Sequence, residues 1–311
     1  MGGKGTSYSR DDIKITSMLL MCLVTVMICA VSIISIYEEK SLFDIIQDVA
    51  SEAEYILTDG KSEMVKIEEG DIPLSDGSGQ PILNAKKNNY DLTNLYEDDL
   101  YRYYFEDDKR ASKVGIDVSY YQGKIDWKKV KKSGVDFAII RLGYRGYLKG
   151  ELALDKKYEY NIKQAKKHGI EVGVYFFTQA LNKKEAIEEA KYCIKHVKGY
   201  KLEYPIVIDT EAINADNVRS QETKLSKKQL TEVCKSFCDT VKDAGYDAAI
   251  YASKSWFFDR LDLEQLDGCD KWLAHYTKIT DYKYDFDMWQ YTSDGTVPGI
   301  KGRVDLNIGF N

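Results

Sequence analysis

Histidine is scarce in this chain, and cysteine forms no recognisable framework. The only histidines are His168, His196 and His275, and none has the spacing of a metal-binding motif. Cys22 and Cys29 lie in an apolar run, and the other cysteines lack the spacings of a disulfide-stapled scaffold. The sequence therefore predicts no metal site. It predicts free, partly buried thiols at the remaining four positions: Cys193, Cys234, Cys238 and Cys269.

An excess of positive charge is also missing. The formal net charge is -6, and the basic residues are spread among acidic ones rather than gathered into a block. Nucleic acid is therefore not an expected partner. Tyrosine, in contrast, is abundant, with 24 residues against 10 phenylalanines and 4 tryptophans. Tyrosine-rich surfaces suit ligands that carry both apolar faces and hydroxyl groups, such as sugars, although tyrosine is also common in ordinary cores.

The N-terminus carries a membrane signal. Residues 15–36 contain no charged side chain, and about 20 such residues span a bilayer. A cleaved signal peptide is the alternative, but no small-residue cleavage site follows the run, so we favour an uncleaved signal-anchor helix over residues 15–37. Because Lys4, Arg10 and Lys14 precede it, residues 1–14 are expected in the cytoplasm and the remainder outside the cell.

Residues 38–112 have the features of an extracellular stem. Helical periodicity over 38–57 is followed by a turn-rich break at 72–81 and an acidic, aromatic stretch at 90–109. That stretch either binds a partner or forms a solvated spacer that packs lightly against the next domain, and we favour the spacer.

From residue 114 onward, short β-branched runs alternate with amphipathic helices. The predicted strands are 114–119, 137–144, 171–178, 205–211, 247–253, 271–277, 285–291 and 304–310, and the predicted helices are 125–133, 156–168, 183–198 and 226–244. This alternation predicts a parallel sheet with right-handed crossovers. Eight strands in about 200 residues indicate a closed α/β barrel, shorter than a full (β/α)8 barrel because the late helices are missing.

The fourth predicted strand ends in two carboxylates, Asp209 and Glu211. Side chains alternate along a strand, so both would project from one face, with Cα atoms about 6.5–7 Å apart. Neighbouring carboxylates push their pKa values apart, which keeps one protonated for general acid catalysis on a glycosidic bond. The alternative is a strand that reaches solvent with two ordinary surface acids.

Other strand ends carry acids, aromatic rings and amides as well. In α/β barrels, chemistry occurs at the C-terminal ends of the strands, so these side chains are expected to converge. Aromatic rings around carboxylates predict a carbohydrate site, although each ring alone fits core packing equally well. The candidates are Asp117, Arg141, Tyr175, Asp209, Glu211, Tyr251, Trp272, Tyr276, Trp289, Gln290 and Asp305.

Several motifs together resemble glycoside hydrolase family 25, the Chalaropsis-type lysozymes. The resemblance begins with GIDVSYYQG at 115–123 and IDW at 125–127, and covers roughly residues 113–311. It continues through VDFAIIR at 135–141, GVYFF at 173–177, YPIVIDTE at 204–211, MWQY at 288–291 and VDLN at 304–307. The family fold is an irregular TIM-like barrel with five βα units and three further strands.

The resemblance also implies function. It implies cleavage of peptidoglycan between N-acetylmuramic acid and N-acetylglucosamine, without a metal or cofactor. Glu211 matches the general acid, and Asp209 matches its partner, which acts as nucleophile or assists the substrate's acetamido group. Asp117 and Asp305 match the other two acids of the site. Many members carry Tyr-His-Phe where this chain has Tyr-Phe-Phe at 175–177, a departure that concerns a subsite contact or a hydrogen bond rather than the acid pair.

Three alternatives stay open. The barrel could be a membrane-tethered module that binds the cell wall without catalysis. It could be another barrel glycosidase such as a chitinase, although residues 204–211 lack the earlier acids of the D-x-x-D-x-D-x-E pattern. The stem could dock a partner in an envelope complex.

Overall fold

The structure is a computed structural model that describes residues 64–67, 84–213 and 225–310. The predicted cytoplasmic tail at 1–14, the predicted anchor at 15–37, and residues 38–63 and 68–83 of the predicted stem lie outside these residues. Within the described segments, no helix has the length and apolar character needed to cross a bilayer.

The described residues contain thirteen strands and five α-helices. The strands are β1 (Val65–Lys66), β2 (Leu95–Glu97), β3 (Arg102–Glu106), β4 (Lys109–Arg110), β5 (Ser112–Val118), β6 (Phe137–Arg145), β7 (Leu152–Leu154), β8 (Glu171–Phe177), β9 (Ile206–Asp209), β10 (Ala248–Ser253), β11 (Asp270–Ala274), β12 (Met288–Gly295) and β13 (Val304–Phe310). The helices are α1 (Trp127–Lys132), α2 (Tyr158–Lys167), α3 (Lys183–Val197), α4 (Lys227–Asp243) and α5 (Lys254–Asp259).

Eight of the strands close into a barrel, as the sequence predicts. Their order is β5-β6-β8-β9-β10-β11-β12-β13, and β13 pairs back with β5, while β7 extends β6 as a hairpin. The predicted parallel arrangement holds from β5 to β12, but β13 runs antiparallel to both of its neighbours. The reason is the short connection at 296–303, since a parallel crossover needs a dozen or more residues.

Alternation along the strands separates two hydrophobic layers. One set of side chains fills the barrel interior, including Phe137, Ile139 and Val207. The intervening side chains form the larger layer between the barrel and its helices. Phe137 closes the end of the barrel at which the parallel strands begin, and its ring stacks on Tyr204 at 4.1 Å between centroids. Gly115 makes room for that ring, because a Cβ there would lie 2.1 Å from it.

The helices cover the barrel with amphipathic faces. Along α4, Leu230, Cys234, Phe237 and Val241 are buried at helical spacing. A capping box starts α4: the Ser226 hydroxyl accepts a hydrogen bond from the backbone of Gln229, whose side chain bonds back. Four cysteines of the described residues form no disulfide and are buried, more completely than the sequence analysis expected: Cys193, Cys234, Cys238 and Cys269.

Residues 84–111 form part of the folded unit. Strands β1 to β4, which precede the barrel in the sequence, make a small antiparallel sheet. Leu95, Tyr101 and Tyr104 from this segment are buried in the same core as the barrel's outer layer, and Tyr90 stacks on Phe310 of β13 at 4.1 Å. The prediction of a spacer that packs lightly against the barrel is therefore wrong for these residues.

Candidate active site

A cleft opens where the parallel strands end. Its larger part has a volume of about 380 Å³ and its smaller part about 180 Å³. Five residues line both parts and make them one continuous cleft: Asp117, Tyr175, Asp209, Glu211 and Asp305. The cleft is large enough for a sugar ring, and its walls are rich in carboxylates.

Strand register explains why the acids meet. Asp305 lies directly opposite Asp117 in the β13–β5 pair, although it is near the start of its strand. Because β13 runs antiparallel, its beginning lies at the rim where the other strands end. Asp209 is the last residue of β9, in register with Tyr251 on β10. Glu211 follows two residues later, at a position open to solvent, and lines the cleft.

Asp117 is the centre of a buried hydrogen-bond network. Its Oδ2 accepts hydrogen bonds from Gln290 Nε2 at 2.8 Å and from Asn307 Nδ2 at 2.9 Å. Gln290 Oε1 in turn accepts hydrogen bonds from the hydroxyls of Tyr251, at 2.8 Å, and Tyr276, at 2.9 Å. Gln290 is thereby held with its side-chain N–H group toward Asp117.

A second chain of donors reaches the same carboxylate through Asn307. The indole Nε1 of Trp272 donates to Asn307 Oδ1 at 2.8 Å. Because each amide accepts at its oxygen and donates at its nitrogen, its orientation is set from both ends. The aromatic side chains Trp272, Tyr251 and Tyr276 therefore orient the two amides that bind Asp117.

The clustering of acids changes their pKa values. Burial, followed by the charges of Asp305 and Glu211, raises the pKa of Asp117 well above its ordinary value, against the two amide donors. Burial raises the pKa of Asp305 to about 6. The pKa of Glu211 is raised by loss of hydration within the cleft and then by the charge of Asp305. Such a site retains protonated carboxyl groups closer to neutral pH than isolated acids would.

Arg141 forms one side of the cleft. Its Nε donates to Asp155 Oδ2 at 2.7 Å, and Asp155 is completely buried. The guanidinium lies over the rings of Tyr120 and Tyr121, at 5.0 and 5.3 Å from their centroids. The pairing with Asp155 fixes the position of the guanidinium in the wall.

Ten of the eleven predicted site residues meet in the cleft: Asp117, Arg141, Tyr175, Asp209, Glu211, Tyr251, Trp272, Tyr276, Gln290 and Asp305. Trp289 does not. Its indole is completely buried in the outer layer, and its Nε1 donates to the backbone of His275 at 2.8 Å. Since Met288 and Gln290 face the barrel interior, alternation directs Trp289 the opposite way.

Sequence reasoning assigned no role to several cleft residues. Tyr121, 73% exposed, and Gln122 line the larger part from the 3-10 turn after β5, and Phe177 lines it from the end of β8. A capping box between Ser119 and Gln122 shapes that turn. Strand alternation could have identified Phe177 and Asn307. Each lies two residues after a predicted site residue, Tyr175 or Asp305, and therefore on the same face of its strand.

This arrangement defines a class of protein. Carboxylates at the mouth of an α/β barrel, beside aromatic and amide groups, are typical of a glycosidase. Residues 116–300 match Glycosyl hydrolases family 25, and the chain belongs to that family.

The chain is similar to bacterial lysozymes. It is 25% identical to the autolytic lysozyme of Clostridium acetobutylicum over 62% of this chain and 54% of that protein. It is 28% identical to lysozyme M1 of Streptomyces globisporus over 62% of this chain and 66% of that protein. The chain thus spans about half to two thirds of the length of these relatives.

A solved structure shows the same similarity. The modular autolysin LytC from Streptococcus pneumoniae, in complex with a synthetic peptidoglycan ligand, aligns with a TM-score of 0.59 and 31% identity. The alignment covers 73% of this chain and 53% of that protein.

Proposed function

We propose that this chain is a membrane-anchored peptidoglycan hydrolase that cleaves the β-1,4 bond between N-acetylmuramic acid and N-acetylglucosamine. The observation that carries the proposal is the meeting of Asp117, Asp209, Glu211 and Asp305 in one cleft. Family membership and the lysozymes among the relatives support the substrate class.

Glu211 is the proposed general acid. Its side chain lies at the open part of the cleft, and its raised pKa favours the protonated form that donates to the glycosidic oxygen. Its activity as an acid should decline as pH rises through that raised pKa, because the donating proton is lost.

Asp209 is the proposed partner. It is buried at the end of β9 and lines both parts of the cleft. From there, its carboxylate either stabilises the oxocarbenium-like transition state, through a covalent or an electrostatic interaction, or orients the substrate's acetamido group.

Aromatic groups supply the proposed sugar contacts. Tyr276 is 55% exposed at the rim and presents its ring to a substrate, while its hydroxyl stays bonded to Gln290. Tyr175 and Tyr251 line the inner part. Trp272 is almost completely buried beneath Tyr251, with 4.7 Å between ring centroids, and forms the floor.

The proposed anchor is the uncharged run at 15–37, with residues 1–14 in the cytoplasm and the barrel outside the cell. This orientation would place the cleft on the same side as the wall. Protease protection of an N-terminal tag in sealed cells, with cleavage of a C-terminal tag, would support it; the reverse pattern would contradict it.

The decisive experiment is product analysis of purified peptidoglycan digested with the full-length protein. Mass spectrometry should show new N-acetylmuramic acid reducing ends, whereas N-acetylglucosamine ends would contradict the proposed bond.

Glu211→Gln should lower the rate at least about 10³-fold with the fold intact, since the proton donor is lost while the size of the side chain is kept. Glu159→Gln, at an exposed glutamate on α2, is the matched control and should keep wild-type activity. Binding of wall without hydrolysis by the wild type would instead indicate a non-catalytic module.

A further inference from the structure

The loop between β11 and β12 carries an exposed part of the cleft. Residues 275–287 connect these parallel strands without an α-helix. Tyr276 lies near the start of this loop, where its hydroxyl donates to Gln290 and its ring lines the cleft. The position of Tyr276 therefore depends on what holds the loop.

Arg102 holds the loop beside Tyr276. From β3, its Nη1 donates to the backbone carbonyl of Thr277 at 2.6 Å and to that of Lys278 at 3.0 Å. These carbonyls belong to the two residues that follow Tyr276. A loop carbonyl bonded to a guanidinium forms a charge-assisted hydrogen bond, which is stronger than a neutral one.

The guanidinium is itself well fixed. Its side chain is 13% exposed, and its Nε donates to Glu97 Oε2 on β2 at 3.1 Å. It lies over the ring of Tyr291 at 4.6 Å from the centroid, and the Tyr291 hydroxyl accepts a hydrogen bond from the Arg102 backbone at 3.3 Å. Arg102 thus connects the small sheet, strand β12 and the loop.

The same segment holds the far end of the loop. Lys87 forms an antiparallel bridge with Tyr284. The side-chain amide of Asn88 donates to the backbone carbonyls of Tyr282, at 2.9 Å, and Tyr284, at 3.3 Å. Residues ahead of the barrel therefore contact the loop at both ends.

The middle of the loop is held by residues of the barrel domain itself. Lys254 on α5 forms an ion pair with Asp281 at 2.7 Å, and the Thr280 hydroxyl lies 2.8 Å from His275 Nδ1. The ion pair of Lys254 with Asp281 lies farther along the chain from Tyr276 than the contacts of Arg102. His275, in contrast, directly precedes Tyr276, and its carbonyl accepts a hydrogen bond from Trp289 Nε1 at 2.8 Å. Trp289 thus holds the residue before Tyr276, and Arg102 holds the two residues after it.

We infer that Arg102 is a positioning residue for the sugar site, acting through residues 277–278 to hold Tyr276 against Gln290. The inference rests on the proposed function. It extends the site beyond the matched family region, which begins at residue 116, to the sheet ahead of the barrel. Arg102 touches no part of the cleft itself, so its effect would be on substrate binding rather than on the chemical step.

The test measures KM and kcat on soluble peptidoglycan strands with the full-length protein in detergent. Arg102→Met keeps an unbranched side chain over Tyr291 but removes both bonds to the loop. We expect KM to rise about tenfold, equivalent to about 1.4 kcal/mol, with kcat changed less than about twofold. Arg102→Lys, which can still donate to a carbonyl, should recover part of the affinity.

Arg110→Met is the matched control. Arg110 also lies in the small sheet, where it pairs with Asp136 and stacks on Tyr103. Its substitution should leave KM unchanged. An unchanged KM in Arg102→Met, or an equal rise in both variants, would overturn the inference.

A double-variant cycle identifies the route of the effect. If Arg102 acts through Tyr276, Tyr276→Ala should raise KM similarly, and adding Arg102→Met should raise it little further. Fully additive effects would overturn the inference. If the wild type hydrolyses no strand, the proposed enzyme function fails, and the same comparisons are made on the Kd of the strands by calorimetry. Absence of both hydrolysis and binding would overturn both proposals.

Discussion

Carboxylates lie in two contrasting environments in this barrel. In the cleft, Asp117 and Asp305 lie directly opposite each other, and the pKa of Glu211 is raised in part by the charge of Asp305. Between β6 and α3, Glu189 is completely buried and accepts a hydrogen bond from Arg145 Nε at 2.7 Å. One group of acids faces like charges, and the other acid faces a cation.

The surroundings of Glu189 complete that contrast. Thr178 donates to its second oxygen at 2.6 Å, and Arg145 also bonds the backbone carbonyls of Gly150 and Glu185. Burial nevertheless raises the pKa of Glu189 to about 7, since desolvation outweighs these partners. The comparison teaches that burial raises the pKa in both regions. Of the two regions, only the cleft has neighbouring carboxylates that raise the pKa further. The cleft is also the region in which a substrate can reach the acids.

The largest effect on folding is expected from Arg145→Met. Removing the Arg145 cation leaves Glu189 buried without its charged partner. This should lower the free energy of unfolding by about 3–5 kcal/mol. Because the raised pKa makes ionisation of Glu189 unfavourable, the loss should be greater at pH 8 than at pH 5. Urea unfolding at both pH values measures this. Arg110→Met, at a more exposed pair, is the control; an equal loss there would remove the distinction.

Asp209→Asn should have the opposite profile, with a loss of activity rather than of stability. Removing the negative charge should lower kcat by about 10²–10³-fold, the typical cost of one electrostatic stabiliser of a transition state. The melting temperature should stay equal or rise, because fewer like charges remain. Single-turnover rates and calorimetry test this, and retention of activity would exclude Asp209 as the partner of Glu211.

Asp305→Asn should make the protein more stable than the wild type, by an amount that grows as pH rises. The folded-state pKa of about 6 exceeds the ordinary 3.8, so the native state binds the proton more tightly, and stability falls as pH rises through that window. The variant should therefore gain about 1–3 kcal/mol over the wild type at pH 7.5 and little at pH 4. Asp239→Asn, at an exposed site on α4, is the control. A pH-independent difference would contradict the role of the carboxyl charge.

The smallest effect is expected from Lys163→Gln. Lys163 pairs with Glu159 on α2 at 3.2 Å, with both side chains more than half exposed. Exposed pairs at this spacing contribute only about 0.3–0.5 kcal/mol. Thermal unfolding should show a change of about that size. A loss comparable to that of Arg145→Met would show that pairing, rather than burial, makes the Arg145 contact important.

Much of the site could be predicted because it depends on local periodicity. The β-branched run before Asp209 predicts a strand, and the position of Asp209 at its end predicts the rim. Alternation then directs Asp117, Tyr175 and Gln290 to the same interior. The same rule excludes Trp289, adjacent to Gln290, and applying it consistently would have corrected that prediction.

Other features depend on contacts between distant segments. The facing of Asp305 and Asp117 requires β13 to return antiparallel and in a particular register. The packing of residues 84–111 on the barrel, and the contact of Arg102 with a loop 175 residues later, leave no periodic signal in the sequence.

The sequence by itself determined the order of the eight barrel strands and of the four longer helices, the family and the identity of the acids at the strand ends. These follow from residue patterns only a few positions long, because the periodicity of strands and helices determines which side chains share a face. Tertiary structure alone decided the direction of the last strand, the charge environment of Asp117 and Asp305, and the attachment of the small sheet to the loop that carries Tyr276. Those outcomes depend on the packing free energy of segments far apart in the chain, which no local pattern specifies.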